Sequence, residues 1–204
     1  AFEDATALTS ITIPASVTEI GDYAFGSATS LTTVIFDGTS TLTLIKLGTF
    51  DGATALTSIT IPASVTSIDD AAFADATALQ SVTFTSPSAL ESIGASAFLG
   101  ATALTSITIP ASVTSIGDSA FEDATALTSI NIPASVTSIG DWAFQNATRL
   151  TSVTFDSSSS LVSIGDSAFY GATALTSITI PAGVTSIGDS AFEDATALTS
   201  INIP

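Results

Sequence analysis

The sequence predicts a repeat solenoid, with a parallel β-sheet on one concave face and short extended pieces and one-turn helical or 3₁₀ segments on the other. Three observations carry this. Phe recurs at Phe2, Phe25, Phe50, Phe73, Phe98, Phe121, Phe144, Phe169 and Phe192, always 23 or 25 residues apart. A fixed period of this length marks an array whose units cannot bury an apolar face alone and stack to do so. Within each unit an I-T-I segment alternates apolar and polar residues, which is the period of a strand and not of a helix. No linker or shift in composition interrupts residues 1–204, which read as a single solenoid of eight full repeats and a partial one.

The most regular unit, Ala120 to Trp142, reads A-F-E-D-A-T-A-L-T-S-I-N-I-P-A-S-V-T-S-I-G-D-W. Its strand is rich in Ile and Thr, good strand formers, and their equivalents elsewhere include Val. Pro14, Pro62, Pro110, Pro133 and Pro181 end the strands, because proline cannot donate to a ladder. A short extended V-T-S-I piece follows. The next stretch, G-D-S-A-F-E-D-A after Ile116, has the composition of a helix start. Asp118 is suited to cap the amides of Ala120 or Phe121, and Glu122 and Asp123 suit a first turn. The stretch is too short for more than about one turn. Three units are longer. Their strands end in Phe36, Phe84 and Phe155 without a proline, and their next apolar residue is Leu42, Leu90 or Leu161 instead of Val. Three features change together, as expected if a longer Ser-rich turn opens room that larger side chains fill. At ~4.8 Å per parallel strand pair, the coils make a rod about 40 Å long.

Composition excludes several functions. The 204 residues hold 2 basic and 19 acidic side chains, a net charge of −17. Phosphate backbones need many cations, so nucleic acid is not an expected partner, and anionic membrane surfaces are disfavoured for the same reason. Mean hydropathy is positive (+0.60), yet no apolar run approaches the ~18–20 residues of a membrane span, so no membrane insertion is expected. There is no Cys, His or Met. Thiolate chemistry and the commonest general base are therefore missing, and a serine nucleophile has no activating partner. Acidic pairs such as Asp69/Asp70 and Glu122/Asp123 are adjacent in sequence instead of opposed across a cleft. No glycine-rich phosphate loop appears. The reading is no enzyme, no catalytic residues, no cofactor and no metal site.

The pattern L-T-S-I-T-I-P-A-S-V-T-S-I-G-D-S-A-F-E-D-A, at residues 104–124, resembles the BspA-like branch of leucine-rich repeats, across essentially the whole chain. In that family L-x-x-I-x-I-P is the strand and V-x-x-I-G-x-x-A-F the return path. Where the family often has Cys, this chain has Ala5, Ala53, Ala101 and Ala195, a packing-neutral exchange of small buried residues. The resemblance implies an extracellular or cell-surface protein of bacteria or protists, associated with adhesion. Its partners would be proteins: host matrix, another cell surface, or further copies of itself. It supplies no catalytic residues to carry over, and fold alone does not fix function.

The candidate partner-binding face is the polar side of the strands. If Ile107 and Ile109 point inward, Ser106 and Thr108 point outward. The pair recurs as Ser58/Thr60, Ser81/Thr83, Ser129/Asn131, Ser152/Thr154 and Ser177/Thr179. A plain solvated sheet face and a flat ice-binding array are the other readings of these ladders; Ile35 interrupts the second. An Asp column (Asp22, Asp70, Asp118, Asp141, Asp166, Asp189) suits capping, or more remotely a calcium ladder. Lys46 takes the place of a glycine and is expected to pair with Asp69. Tyr23, Trp142 and Tyr170 stand at otherwise small or polar positions, and Asn146-Ala147-Thr148 is a glycosylation sequon. Both ends of the sequence lie inside the motif. That suggests either a segment of a longer array or a unit that associates end to end into a structural fibre or layer.

Overall fold

The structure, a computed structural model, describes all residues 1–204. Sixteen short strands of two to four residues follow one another along the chain. The first are β1 (Ser10–Ile13), β2 (Thr33–Phe36), β3 (Leu44–Ile45), β4 (Ser58–Ile61), β5 (Ser67–Ile68) and β6 (Ser81–Phe84). Next come β7 (Ser92–Ile93), β8 (Ser106–Ile107), β9 (Ser115–Ile116), β10 (Ser129–Ile132) and β11 (Ser138–Ile139). The last are β12 (Ser152–Phe155), β13 (Ser163–Ile164), β14 (Ser177–Thr179), β15 (Ser186–Ile187) and β16 (Ser200–Asn202). Every pairing is parallel and joins one coil to the next.

The two sides of the rod differ. The V-T-S-I pieces, expected only as extended links, form one unbroken seven-stranded sheet from β3 to β15. The I-T-I strands form four separate sheets, β1-β2, β4-β6-β8, β10-β12 and β14-β16. Pairing fails between β2 and β4 and between β12 and β14, and between β6 and β8 it covers only Ser81↔Ser106 and Val82↔Ile107. Each of these three junctions follows a long coil whose strand ends in Phe. Pairing also stops between β8 and β10, which is not such a junction.

Between the two sides lies a continuous apolar core. The Phe column is its spine: adjacent rings from Phe2 to Phe192 stack with centroids 5.2–5.4 Å apart and planes within 14°. Leu42, Leu90 and Leu161 are buried, as are Ala53 and Ala101 at the family's Cys position. The larger residues of the long coils therefore fill the room only in part, since Phe36, Phe84 and Phe155 remain half-exposed.

The expected helical segment is replaced by consecutive turns. Each coil holds two residues in the left-handed region. One column (Tyr23, Gly48, Ala71, Ser96, Ser119, Trp142, Ser167, Ser190) has φ of 51–56°, and another, including Ser27, Gly52, Asp75, Asp123 and Asn146, has φ of 52–68°. This alternation splits the amides. Those of Ala120, Glu122 and Ala124 bond three residues back, while those of Ser119, Phe121 and Asp123 donate to Asp141, Ala143 and Gln145 of the next coil. A helix would aim every N–H along its own axis; here every second one runs along the rod and joins coils. Ala71 gains nothing from a positive φ. Ala71→Gly is therefore expected to stabilise the fold by about 0.5–1 kcal/mol, read as a higher denaturant midpoint.

Candidate binding face

The strand register aligns the outward residues across coils. Ser58, Ser81 and Ser106 face one another in sequence along the rod, as do Thr60 and Thr83, Ser129 and Ser152, and Asn131 and Thr154. Of the twelve face residues eleven are exposed (Ser58, Thr60, Ser81, Thr83, Ser106, Thr108, Ser129, Asn131, Thr154, Ser177, Thr179) and Ser152 is half-buried. Asn131 bridges Asp156 and Thr154 at 3.2 and 2.9 Å. Ile35, 52% exposed, interrupts the outer column.

Hydroxyls elsewhere on the rod are engaged by the preceding coil. Thr32, Thr128, Thr151 and Thr199 donate to the carbonyls of Thr9, Thr105, Thr128 and Thr176 at 3.0–3.3 Å. Along the second sheet Thr66, Thr114 and Thr137 do the same at 3.1 Å. These bonds explain much of the Thr content. In contrast, Ser58, Thr60, Ser81, Thr83, Ser106, Thr108, Ser129, Ser177 and Thr179 have no side-chain bond to protein, and the tenth, Ser152, has none either. Their donors and acceptors face solvent in register.

Three clefts open beside this face, one at each junction after a long coil. Their volumes are about 250, 480 and 580 Å³. The lining is equivalent in all three: the strand-ending Phe, a turn serine (Ser40, Ser88, Ser159), and the next coil's proline and alanine (Pro62/Ala63, Pro110/Ala111, Pro181/Ala182). Thr60, Thr108 and Thr179 stand where the clefts meet the face. The sequence signalled the long coils but not that they leave openings.

The acidic column has a different role from the one expected. Asp118 does not cap its own coil; its Oδ1 accepts the Asp141 N–H of the next coil at 3.0 Å. Asp141 and Asp166 accept from Asp166 and Asp189 at 2.7 Å, and Asp70 accepts from Ala95 at 2.8 Å. Each Asp carboxylate thus joins coils through a side chain, while the amide after it, as at Ser119, donates to the Asp141 carbonyl and joins the same coils through the backbone. No cluster of three or more potential metal-ligating side chains forms.

Lys46 also departs from expectation. It pairs with Glu19 of the preceding coil, while Asp69 accepts the Ser67 hydroxyl beside it. The Lys46 hydrogen bond and charge hold the exposed Glu19 carboxyl below its usual range, and Glu19 raises Lys46. The Tyr23 ring covers Gly48, where an added Cβ would lie 2.2 Å from it. Trp142 is 44% exposed, and Tyr170, half-buried, has its phenol raised by a hydrogen bond to Asp194. Asn146 of the sequon is half-buried and donates to Asp123 at 3.0 Å.

Burial, and then the Asp75 carboxylate, push the Asp51 carboxyl above its usual value. A raised carboxyl favours folding below its unfolded pKa, and that contribution is lost as pH rises above about 4. Asp51→Asn is therefore expected to stabilise the chain at neutral pH, with the gain shrinking towards pH 3. Chemical denaturation at both pH values checks the sign.

Parallel single-coil stacking, an aligned polar strand face and a buried Phe spine define a leucine-rich-repeat solenoid. The profile of the "BspA type Leucine rich repeat region (6 copies)" matches residues 1–126 and 91–204. The chain belongs to that family. Among solved structures it is similar to a leucine-rich cell surface protein from Faecalibacterium prausnitzii A2-165. Identity is 35% and the TM-score 0.72, over 95% of this chain and 47% of that one. The chain thus spans about half the length of that relative. It also shares its fold with a leucine-rich repeat protein of T. pallidum, with 23% identity and a TM-score of 0.72 over 94% of this chain and 78% of that one. No curated protein matches the chain significantly. No helix is long and apolar enough to cross a membrane.

Proposed function

We propose that the chain is a non-catalytic, extracellular or cell-surface repeat domain that binds proteins through its outward strand face. The observation that carries this is the contrast among hydroxyls: those of neighbouring Thr columns are bonded to the preceding coil, whereas those of the face, Thr154 apart, are free and aligned from coil to coil. Repeat solenoids use such extended surfaces for partners. The cell-surface relative from F. prausnitzii supports the location. Changing Ser106, Thr108, Ser129 and Asn131 together to Arg or Glu is expected to abolish binding to whichever matrix protein or cell the parent chain retains in an adhesion assay. Unchanged retention by a folded variant would remove this face.

An ice-binding array fits poorly with a face divided into four sheets and interrupted by Ile35.

A further inference from the structure

We propose that the three clefts are anchor points within the binding face, each taking one apolar side chain of an extended, basic polypeptide; the inference rests on the face being the binding surface. The clefts are equivalent to one another and occur only after the long coils, so the two coil lengths set where anchors fall along the rod. Each floor is apolar, formed by a half-exposed Phe with the proline and alanine of the following coil. Each mouth opens at a face threonine. An apolar side chain placed there gains by burial, and the free hydroxyls around it can bond a main chain alongside.

Charge selects the composition of that polypeptide. No Lys or Arg lines any of the three clefts, Asp37 and Asp156 border two, and the chain carries −17 overall. An anionic polymer is repelled and a basic one is drawn in.

Spacing fixes a probe. Successive clefts are two and three coils apart, about 10 and 14 Å at ~4.8 Å per coil; the longer span matches about four residues of extended chain, an even offset that puts both side chains on one face. The probe is a 14-residue Lys/Ser peptide with Leu at positions 5 and 9, measured by calorimetry against this chain. Saturable binding is expected, weakening as salt rises. Thr108→Trp and Thr179→Trp fill the mouths of the two clefts that the probe spans, at exposed sites that leave folding intact. Each is expected to lower affinity about tenfold. Ser106→Trp and Ser129→Trp, on the same face outside the cleft linings, are expected to lower it by less, about threefold. Equal losses in both sets would keep the face but overturn the clefts as anchors. Loss in neither set would overturn the face as well. Absence of binding at millimolar peptide, or equal binding when Leu is replaced by Ser or Lys by Glu, would overturn the basic, apolar partner.

Discussion

Phe121→Ala is expected to destabilise the array by about 3–5 kcal/mol, the cost of a large cavity in a packed core. Phe121 is fully buried, and its ring lies 5.3 Å from both Phe98 and Phe144. Removing it breaks two stacking contacts at once. The same change at Phe2, which is 45% exposed and has one ring neighbour, is expected to cost much less. Stability in a solenoid is approximately a sum of coil and interface terms. A defect at the middle of the spine also weakens the coupling between the two halves. Unfolding of Phe121→Ala should therefore broaden or split into two transitions, whereas Phe2→Ala keeps one. A single sharp transition at an unchanged midpoint for Phe121→Ala would show that the ring stack contributes little.

The second large effect is expected at Gly140. An added Cβ would lie 2.5 Å from Asp118 Oδ1, 2.6 Å from the Asp118 nitrogen and 2.6 Å from the Gly117 carbonyl carbon. Two of these atoms are backbone, so the coils themselves must part. Gly140→Ala should cost about 1–3 kcal/mol, as overpacking does elsewhere. Gly21 lies in the same column, but nothing stands within 4 Å of its Cβ position, and Gly21→Ala should be close to neutral. The chain contains its own comparison. Where Lys46 replaces the glycine, the preceding Asp22 forms no bond to the Leu47 amide, unlike Asp118, Asp141 and Asp166. Thermal melts of the two alanine variants side by side test the contrast.

The period, the strands and their inward and outward faces were legible because each depends on residue type at fixed spacing. Ile107 and Ile109 are buried and Ser106 and Thr108 exposed, as alternation requires. The turns were less legible. A column containing Gly52, Asp75, Asp123 and Asn146 does favour positive φ. The other left-handed column holds Ala71, Tyr23 and Trp142, residues that hide the conformation. Without those angles, Asp118 reads as a cap for its own coil when it serves the next one. Lys46 illustrates a further limit, since Glu19 and Asp69 both lie one coil away and only side-chain direction separates them. The long coils were legible in the Phe and Leu exchanges, but whether the enlarged residues would fill the space depended on packing no spacing records.

The unequal sheets have a mechanical consequence. One side of the rod carries an unbroken seven-stranded ladder; the other is divided into four short ones. Such a beam has one continuous flange and one cut flange, so its stiffness depends on the direction of load. Flexure that opens the cuts breaks no ladder bonds at them, while flexure that stretches the continuous side must break many. The rod is therefore compliant in bending away from the strand face, which opens the cuts, and resists bending towards it.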